Sequence, residues 1–277
     1  MSSGQSADYV LGGSEAELTR LRAQAAEYEA SARWLLDAIG IRPGARVLDV
    51  GCGPIGILAI LSELVGAQGE VVGLEREPRF AQMARHEAER LGLANVVVVE
   101  ADALNSGLER ESFDLVHERL VMVNVPEREQ LLFEMLALTA PGGAVALEDI
   151  DNVSWLCYPA HASWTALLEA FHAVHRAGGG DPFVGRRLPA LLRSAGVLDV
   201  QANVQAALPQ PGQYRRNHLI SLIQSLRPKL IGMGVMQEQE LDDHIAALTR
   251  HLADSNTMVI EKLLVQAWGT KPKGEVP

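Results

Sequence analysis

Apolar positions along the chain change period after the first forty residues. From Ser14 to Ile39 the positions Leu18, Leu21, Ala25, Tyr28, Trp34, Leu35 and Ala38 recur at helical spacing, with Ser14 placed as N-cap and Glu17 completing a capping box. Gly40 and then Pro43-Gly44 end that helix. Beyond them, short and nearly continuous apolar runs alternate with helix-length segments. Strands are expected at 46–50, 70–75, 95–100, 113–117 and 144–149, and helices at 54–66, 77–92, 127–140, 161–177 and 184–195. Runs without polar alternation suit strands buried on both faces, so the pattern predicts stacked βαβ units around a parallel sheet. Two further β-like runs, 197–207 and 258–268, flank a segment at 211–257 that reads as helical and is too long for an ordinary connection. The expected organisation is one α/β domain over 1–277: an N-terminal helical lid (1–40), a core (41–210), a helical insertion walling a pocket (211–257), and a last strand with a frayed tail (258–277).

Composition narrows the partners. Apolar residues make up 48% and charged residues 21% of 277 positions, the balance of a globular chain that folds alone or as a small oligomer such as a homodimer. The net charge of −11 includes no basic run, which disfavours nucleic acid. Cys52 and Cys157 lie in no disulfide framework or zinc pattern and fit a reducing cytosol. The opening MSSGQSADYVLGGS lacks a secretion signal and no apolar run reaches membrane-spanning length, so a cytoplasmic protein without membrane contact is expected.

Candidate chemistry begins at Val47–Gly56, VLDVGCGPIG. Its glycines let backbone approach a ligand closely at the end of the first strand, and Pro54 stands where a helix is expected to begin. Gly51-x-Gly53-x-x-Gly56, with Glu75 at the next strand end, also satisfies a nicotinamide-dinucleotide fingerprint, which leaves a dehydrogenase as the alternative. Asp49 sits more comfortably beside a cationic or zwitterionic ligand than beside a pyrophosphate. The preference is therefore for S-adenosylmethionine.

The Asp-x-Gly-x-Gly turn, the acidic GLE at strand two, ADAL after strand three, FDLVHERLVMVNVP and APGG occur in an order that resembles the class I S-adenosylmethionine-dependent methyltransferases. The opening Tyr-x-Leu-Gly-x-Ser-x-x-Glu is similar to the lids of bacterial small-molecule members that tailor natural products, some acting on indole alkaloids. The resemblance implies a doubly wound, Rossmann-like sheet of seven mostly parallel strands with the last reversed. It further implies that Gly51, Cys52 and Gly53 surround the methionyl part, Glu75 accepts the ribose hydroxyls, Arg76 lies against adenine, Asp102 and Ala103 bind its ring, and Glu118 faces the methionyl group. Tyr9 would close the site and touch the acceptor, with Arg20 and Gln24 in reach of the methionine carboxylate. A solvated strand end or a helix cap is the competing reading for each acid, and an amphipathic helix for Arg20 and Gln24.

Methyl transfer needs alignment above all, and a base where the acceptor loses a proton. Asp149 is the first candidate for base or acceptor anchor and His117 the second, both at the carboxyl ends of strands. Glu148 and Asp151 read equally as partners of arginines. Arg119 stands where a metal-dependent relative wants an acid, so no metal is expected. Trp155, Tyr158 and Trp164, with Phe171 and Phe183, either line an aromatic pocket or, the favoured reading for the group, pack a core. Glu169, His172 and His175 share a helical face and read as solvated; His218, His244 and His251 carry less signal still. The acceptor is expected to be a small, largely apolar or aromatic metabolite, indolic ones included, methylated on carbon, nitrogen or oxygen. A methyltransferase-like protein that only binds or cyclises its ligand is a further alternative.

Overall fold

The computed structural model describes residues 15–54 and 56–274, with the side chains of 15–24 and of Ala26 outside that description. Ser14 and Tyr9 therefore lie outside the described residues, as do the side chains of Arg20 and Gln24. The seven-stranded sheet runs in the order β3 (Val96–Glu100), β2 (Glu70–Glu75), β1 (Arg46–Val50), β4 (Phe113–Arg119), β5 (Thr139–Asp151), β9 (Leu263–Thr270), β7 (Leu198–Gln205). The pairs from β3 to β5 are parallel, while β9 runs antiparallel to both β5 and β7. Strand order reverses between β1 and β4, which opens a crevice at their carboxyl ends.

Both faces of the central strands are buried, as their unbroken apolar character requires. One face carries Leu48, Val72, Val116 and Leu147 against Leu131 and Met135 of α4 (Arg128–Leu138) and Leu188 and Leu192 of α6 (Leu188–Ser194). The other carries Val47, Val71 and Leu115 against Leu35 of α1 (Glu15–Ile39), Leu61 of α2 (Leu58–Val65) and Ala81 of α3 (Pro78–Arg90). A third cluster joins α5 (Ala162–Ala177), α7 (His218–Gly232) and α8 (Glu238–Ala253) through Trp164, Leu167, Phe171, Ile223, Leu241 and Leu248. Arg216, buried just before α7, donates to the carbonyls of Leu252, Asp254 and Thr257 and so closes the end of α8. No helix among the described residues is long and apolar enough to cross a membrane.

Four local expectations need correction. The helix expected from 54 begins only at Leu58, because Gly56 holds φ +46, outside helical space. The run 258–268 is two strands, β8 (Met258–Ile260) and β9, interrupted by Glu261-Lys262; β8 pairs with β6 (Leu156–Tyr158) in a separate two-stranded sheet. The expected helix at 184–195 opens as a 3-10 turn over Val184–Arg187. His172 and His175 are buried rather than solvated, packed against Phe171, with His172 also against Phe183.

Asn152 Nδ2 donates to His172 Nε2 at 3.0 Å, which demands a neutral ring, and His175 Nε2 donates to Asn124 Oδ1 at 3.0 Å. Burial pushes both imidazoles down to about 4, with Arg176 beside His172 and His172 beside His175 adding to it. A group whose folded value is depressed below its unfolded one stabilises fully above the unfolded value of about 6.5 and loses that contribution as pH falls toward 4. The melting temperature is therefore expected to fall across pH 6.5 to 4, and His172→Gln should flatten that slope. A slope identical in the variant and the parent, measured by calorimetry, would remove His172 from the account.

Candidate active site

β1 delivers Asp49 and then turns through Gly51 (φ +67) and Gly53 (φ +60), a backbone open to glycine and costly for other residues. The N–H groups of Gly51 and Cys52 both donate to Leu74 O of β2, at 2.7 and 3.0 Å, which ties the turn to the neighbouring strand. A Cβ on Gly51 would stand 2.5 Å from Val121 Cγ2, and one on Gly73 would stand 2.9 Å from Cys52 Sγ. Cys52 is thus an inward packing group, its thiol pushed up by burial. Because α2 starts late, Pro54 belongs to the turn and not to the first helical position.

Glu75 ends β2 with its carboxylate aimed by backbone. Gly53 N donates to Oε2 at 2.9 Å and Glu77 N to Oε1 at 2.8 Å. Burial raises its pKa against the lowering effect of the Glu77, Gly53 and Arg76 backbone N–H groups, and a carboxylate has acceptor capacity beyond those bonds. Arg76 follows it, exposed. Asp102 is also exposed, one oxygen accepting from Leu104 N at 2.9 Å, with half-buried Ala103 beside it.

At the end of β4 the chain turns through Leu120, held at φ +60, into a loop fixed by two acids. Glu118 Oε2 accepts from Val121 N and Met122 N at 3.0 and 3.4 Å, and Asp149 Oδ2 from Val123 N at 2.8 Å, while Asp149 Oδ1 accepts from Ile150 N at 2.7 Å. Burial pushes Asp149 up to about 7 and, together with the nearby Asp149 charge, holds Glu118 well above the carboxylate range. Asp149, the first candidate for base, has both oxygens engaged by backbone and holds the loop that packs on Gly51. Glu118 Oε1, buried, has no hydrogen-bond partner among the described residues.

His117 lies beside Asp49 across the β1–β4 register, Nδ1 at 2.8 Å from Asp49 Oδ1, both side chains buried. Its Nε2 is buried without a hydrogen-bond partner among the described residues. This is the geometry of an oriented imidazole with one nitrogen free for a proton.

Past β5 the expected acceptor residues part company. Trp155 is buried between Trp164, Phe171 and His218, with ring centroids 5.8–6.0 Å away, so Trp155 and Trp164 pack the helical cluster. Tyr158, on β6, is 65% exposed and points away from it. Glu148 and Asp151 do pair with arginines, Arg119 at 3.7 Å and Arg186 at 2.5 Å. Among the described residues no group of three His, Cys, Asp or Glu side chains is placed to hold a metal.

One cluster escaped the sequence reading. Glu261 Oε2 lies 3.2 Å from His218 Nδ1, and Lys262 Nζ lies 3.0 Å from that nitrogen and 4.3 Å from the Trp155 ring. Burial alone would raise Glu261; Lys262 and His218 hold it down at about 2. Tyr28 of α1 closes the group, its ring 4.6 Å from Arg215 and 5.8 Å from Arg119. Arg215 in turn pairs with Glu27 at 2.6 Å, tying the insertion to α1. The available signal was a charged Glu-Lys pair inside an otherwise apolar run.

A methyltransferase-domain family model matches residues 41–187, just over half of the chain. A demethylmenaquinone methyltransferase of Bacillus cereus is 34% identical over 105 residues, 38% of this chain and 44% of that protein, so the match spans less than half of the relative. Among solved structures, a phosphoethanolamine N-methyltransferase of Haemonchus contortus bound to S-adenosylhomocysteine aligns over 98% of this chain and 61% of its own, at 16% identity and TM-score 0.60. An S-adenosylmethionine-dependent methyltransferase of Aquifex aeolicus covers 72% of this chain and 93% of its own, at 18% identity and TM-score 0.52. The glycine fingerprint alone left a dinucleotide open; the family match closes that choice. The chain belongs to the methyltransferase-domain family.

Proposed function

We propose that this methyltransferase transfers the methyl group to a small acceptor with an apolar or aromatic body, an indole-like ring among the candidates, and that His117 removes the acceptor's proton where one must leave. The observation carrying this reading is the Asp49–His117 pair, whose buried Nε2 lies one strand from the glycine turn and has no hydrogen-bond partner among the described residues.

The turn fits S-adenosylmethionine on its own geometry. Gly51 leaves no room for a Cβ, Glu75 is held with acceptor capacity to spare for paired hydroxyls, and Glu118 offers one buried, unpartnered oxygen. Gly51, Cys52, Gly53 and Glu118 are assigned to the methionyl part, Glu75 to the ribose, and Arg76, Asp102 and Ala103 to adenine. Arg20, Gln24 and Tyr9 are assigned as before to the carboxylate and the lid. When bound, the cofactor supplies a methyl carbon made electrophilic by its positive sulfur. The protein's share is then to hold the acceptor in line, exclude water, and place Nε2 at the proton; alignment of this kind is worth on the order of 7–11 kcal/mol. Asp49 fixes the ring by its Nδ1 and stabilises the imidazolium once the proton has arrived.

Calorimetry with S-adenosylhomocysteine tests the cofactor assignment. Glu75→Ala should weaken binding about ten- to a hundredfold, the range expected for losing charge-assisted hydrogen bonds to two hydroxyls. Unchanged affinity in that variant would displace Glu75 from the ribose. Transfer of labelled methyl to any member of an indole, phenol and amine panel excludes a protein that only binds or cyclises.

A further inference from the structure

The 120–125 loop is gripped from two sides. Its N–H groups at Val121, Met122 and Val123 go to the carboxylates of Glu118 and Asp149. Its carbonyls are taken by α4 and by the turn after α5: Arg128 Nε donates to Met122 O at 2.9 Å, and Asp181 N to Val123 O at 2.9 Å. The same guanidinium donates through Nη2 to Gly179 O at 2.8 Å and through Nη1 to Pro126 O at 3.5 Å. Arg128 therefore ties the loop to a glycine turn far along the chain. The two surfaces touch closely, since a Cβ on Gly179 would stand 2.9 Å from Pro126 Cβ and one on Gly180 2.9 Å from Val123 O.

Arg128 is buried, and among the described residues its hydrogen bonds all go to main-chain carbonyls. Burying a guanidinium without a paired carboxylate is costly, and the charges of Asp181 and Asp149 nearby offset only part of that. An apolar side chain could fill the same space. What it could not do is hold carbonyls from two segments at once in a rigid fork. We propose that Arg128 is a positioning residue for the methyl donor, acting through Glu118. By fixing Met122 O it keeps the Val121 and Met122 N–H groups on Glu118 Oε2, so that Oε1 stays available to the methionyl part. It also keeps Val121 seated on the Gly51 turn. The inference rests on the cofactor assignment of Gly51 and Glu118.

The test is calorimetry of S-adenosylhomocysteine binding to the full chain, at a temperature where every variant compared is folded. Arg216 is the control, because it too is a buried arginine that holds carbonyls, those at the end of α8. Arg128→Met should weaken binding about tenfold, the equivalent of one charge-assisted hydrogen bond. Arg128→Lys should weaken it less, since an ammonium reaches one carbonyl but lacks the fork to span both. Arg216→Met should lower the melting temperature comparably and leave the affinity unchanged. Hydrogen exchange read by mass spectrometry should accelerate across 120–125 in Arg128→Met and not in Arg216→Met. No affinity loss in Arg128→Met, an equal loss in Arg216→Met, or a loss without faster exchange in the loop would each overturn the proposal. Should Arg128→Met fail to fold, Arg128→Lys is held to the same criteria with a few-fold loss. Failure of the parent chain to bind S-adenosylhomocysteine would instead overturn the cofactor reading beneath it.

Discussion

Replacing His117 by asparagine is expected to lower turnover by about 10²–10⁴-fold for acceptors that lose a proton, the contribution of a positioned base. Asparagine is the informative choice because its Nδ2 can take the place of imidazole Nδ1 opposite Asp49 Oδ1, where the native contact is 2.8 Å. The buried carboxylate then keeps its partner, whereas His117→Ala would leave it unpaired in the interior at a cost of about 3–5 kcal/mol. Only the Nε2 function is removed. The loss should fall on kcat, with S-adenosylhomocysteine affinity unchanged, which marks an interaction made in the transition state and not in binding. Asp49→Asn should reproduce the defect through the wrong tautomer, with Nδ2 facing a ring nitrogen that must then accept. Normal turnover in His117→Asn with such an acceptor would mean that transfer proceeds by alignment alone.

Asp149 illustrates why residue type at a strand end does not settle a role. Its position at the carboxyl end of β5 is the one the chemistry wants. The side chain also accepts from Val123 N and Ile150 N, one bond on each oxygen, and burial among other acids pushes it up to about 7. No sequence pattern distinguishes a carboxylate that faces the acceptor from one that nails down the neighbouring loop; the loop's path decides.

The parts legible in the sequence are those whose burial is local. RVLDV and EVVGLE are strands at the expected residues because every position but the ends is buried, so no register slip or helical alternative competes. The parts that were not legible depend on partners far along the chain. Leu156–Tyr158 becomes a strand only by pairing with Met258–Ile260, a hundred residues away, and three residues carry no periodicity of their own. His172 and His175 looked solvated because a helical face does not announce what packs on it; here Phe171 of the same helix and Phe183 beyond it enclose them. The site divides in the same way. Asp49, Gly51, Glu75 and Glu118 follow directly from strand ends, while the cluster of His218, Arg215 and Tyr28 is assembled from the insertion and from α1.

Gly51→Ala is expected to weaken S-adenosylhomocysteine binding by about a hundredfold or more, and its comparison with Gly53→Ala separates the two reasons. Both glycines hold left-handed backbone, φ +67 and φ +60, which costs a β-carbon roughly 1–2 kcal/mol. At Gly53 nothing lies within 4 Å of the added carbon, so backbone strain is the whole cost, close to tenfold if it falls on binding. At Gly51 the added carbon meets Val121 Cγ2 at 2.5 Å, and Val121 cannot retreat freely because its N–H is held by Glu118. Overlap of this kind adds about 1–3 kcal/mol and pushes the 120–125 loop away from the turn. Val121→Ala deletes the clashing methyl, so Gly51→Ala with Val121→Ala should recover affinity to the level of Gly53→Ala, a coupling a double-mutant cycle reads directly. If the double variant binds no better than Gly51→Ala alone, the contact with Val121 is not what requires glycine there, and close approach of the cofactor to the turn becomes the remaining physical cause.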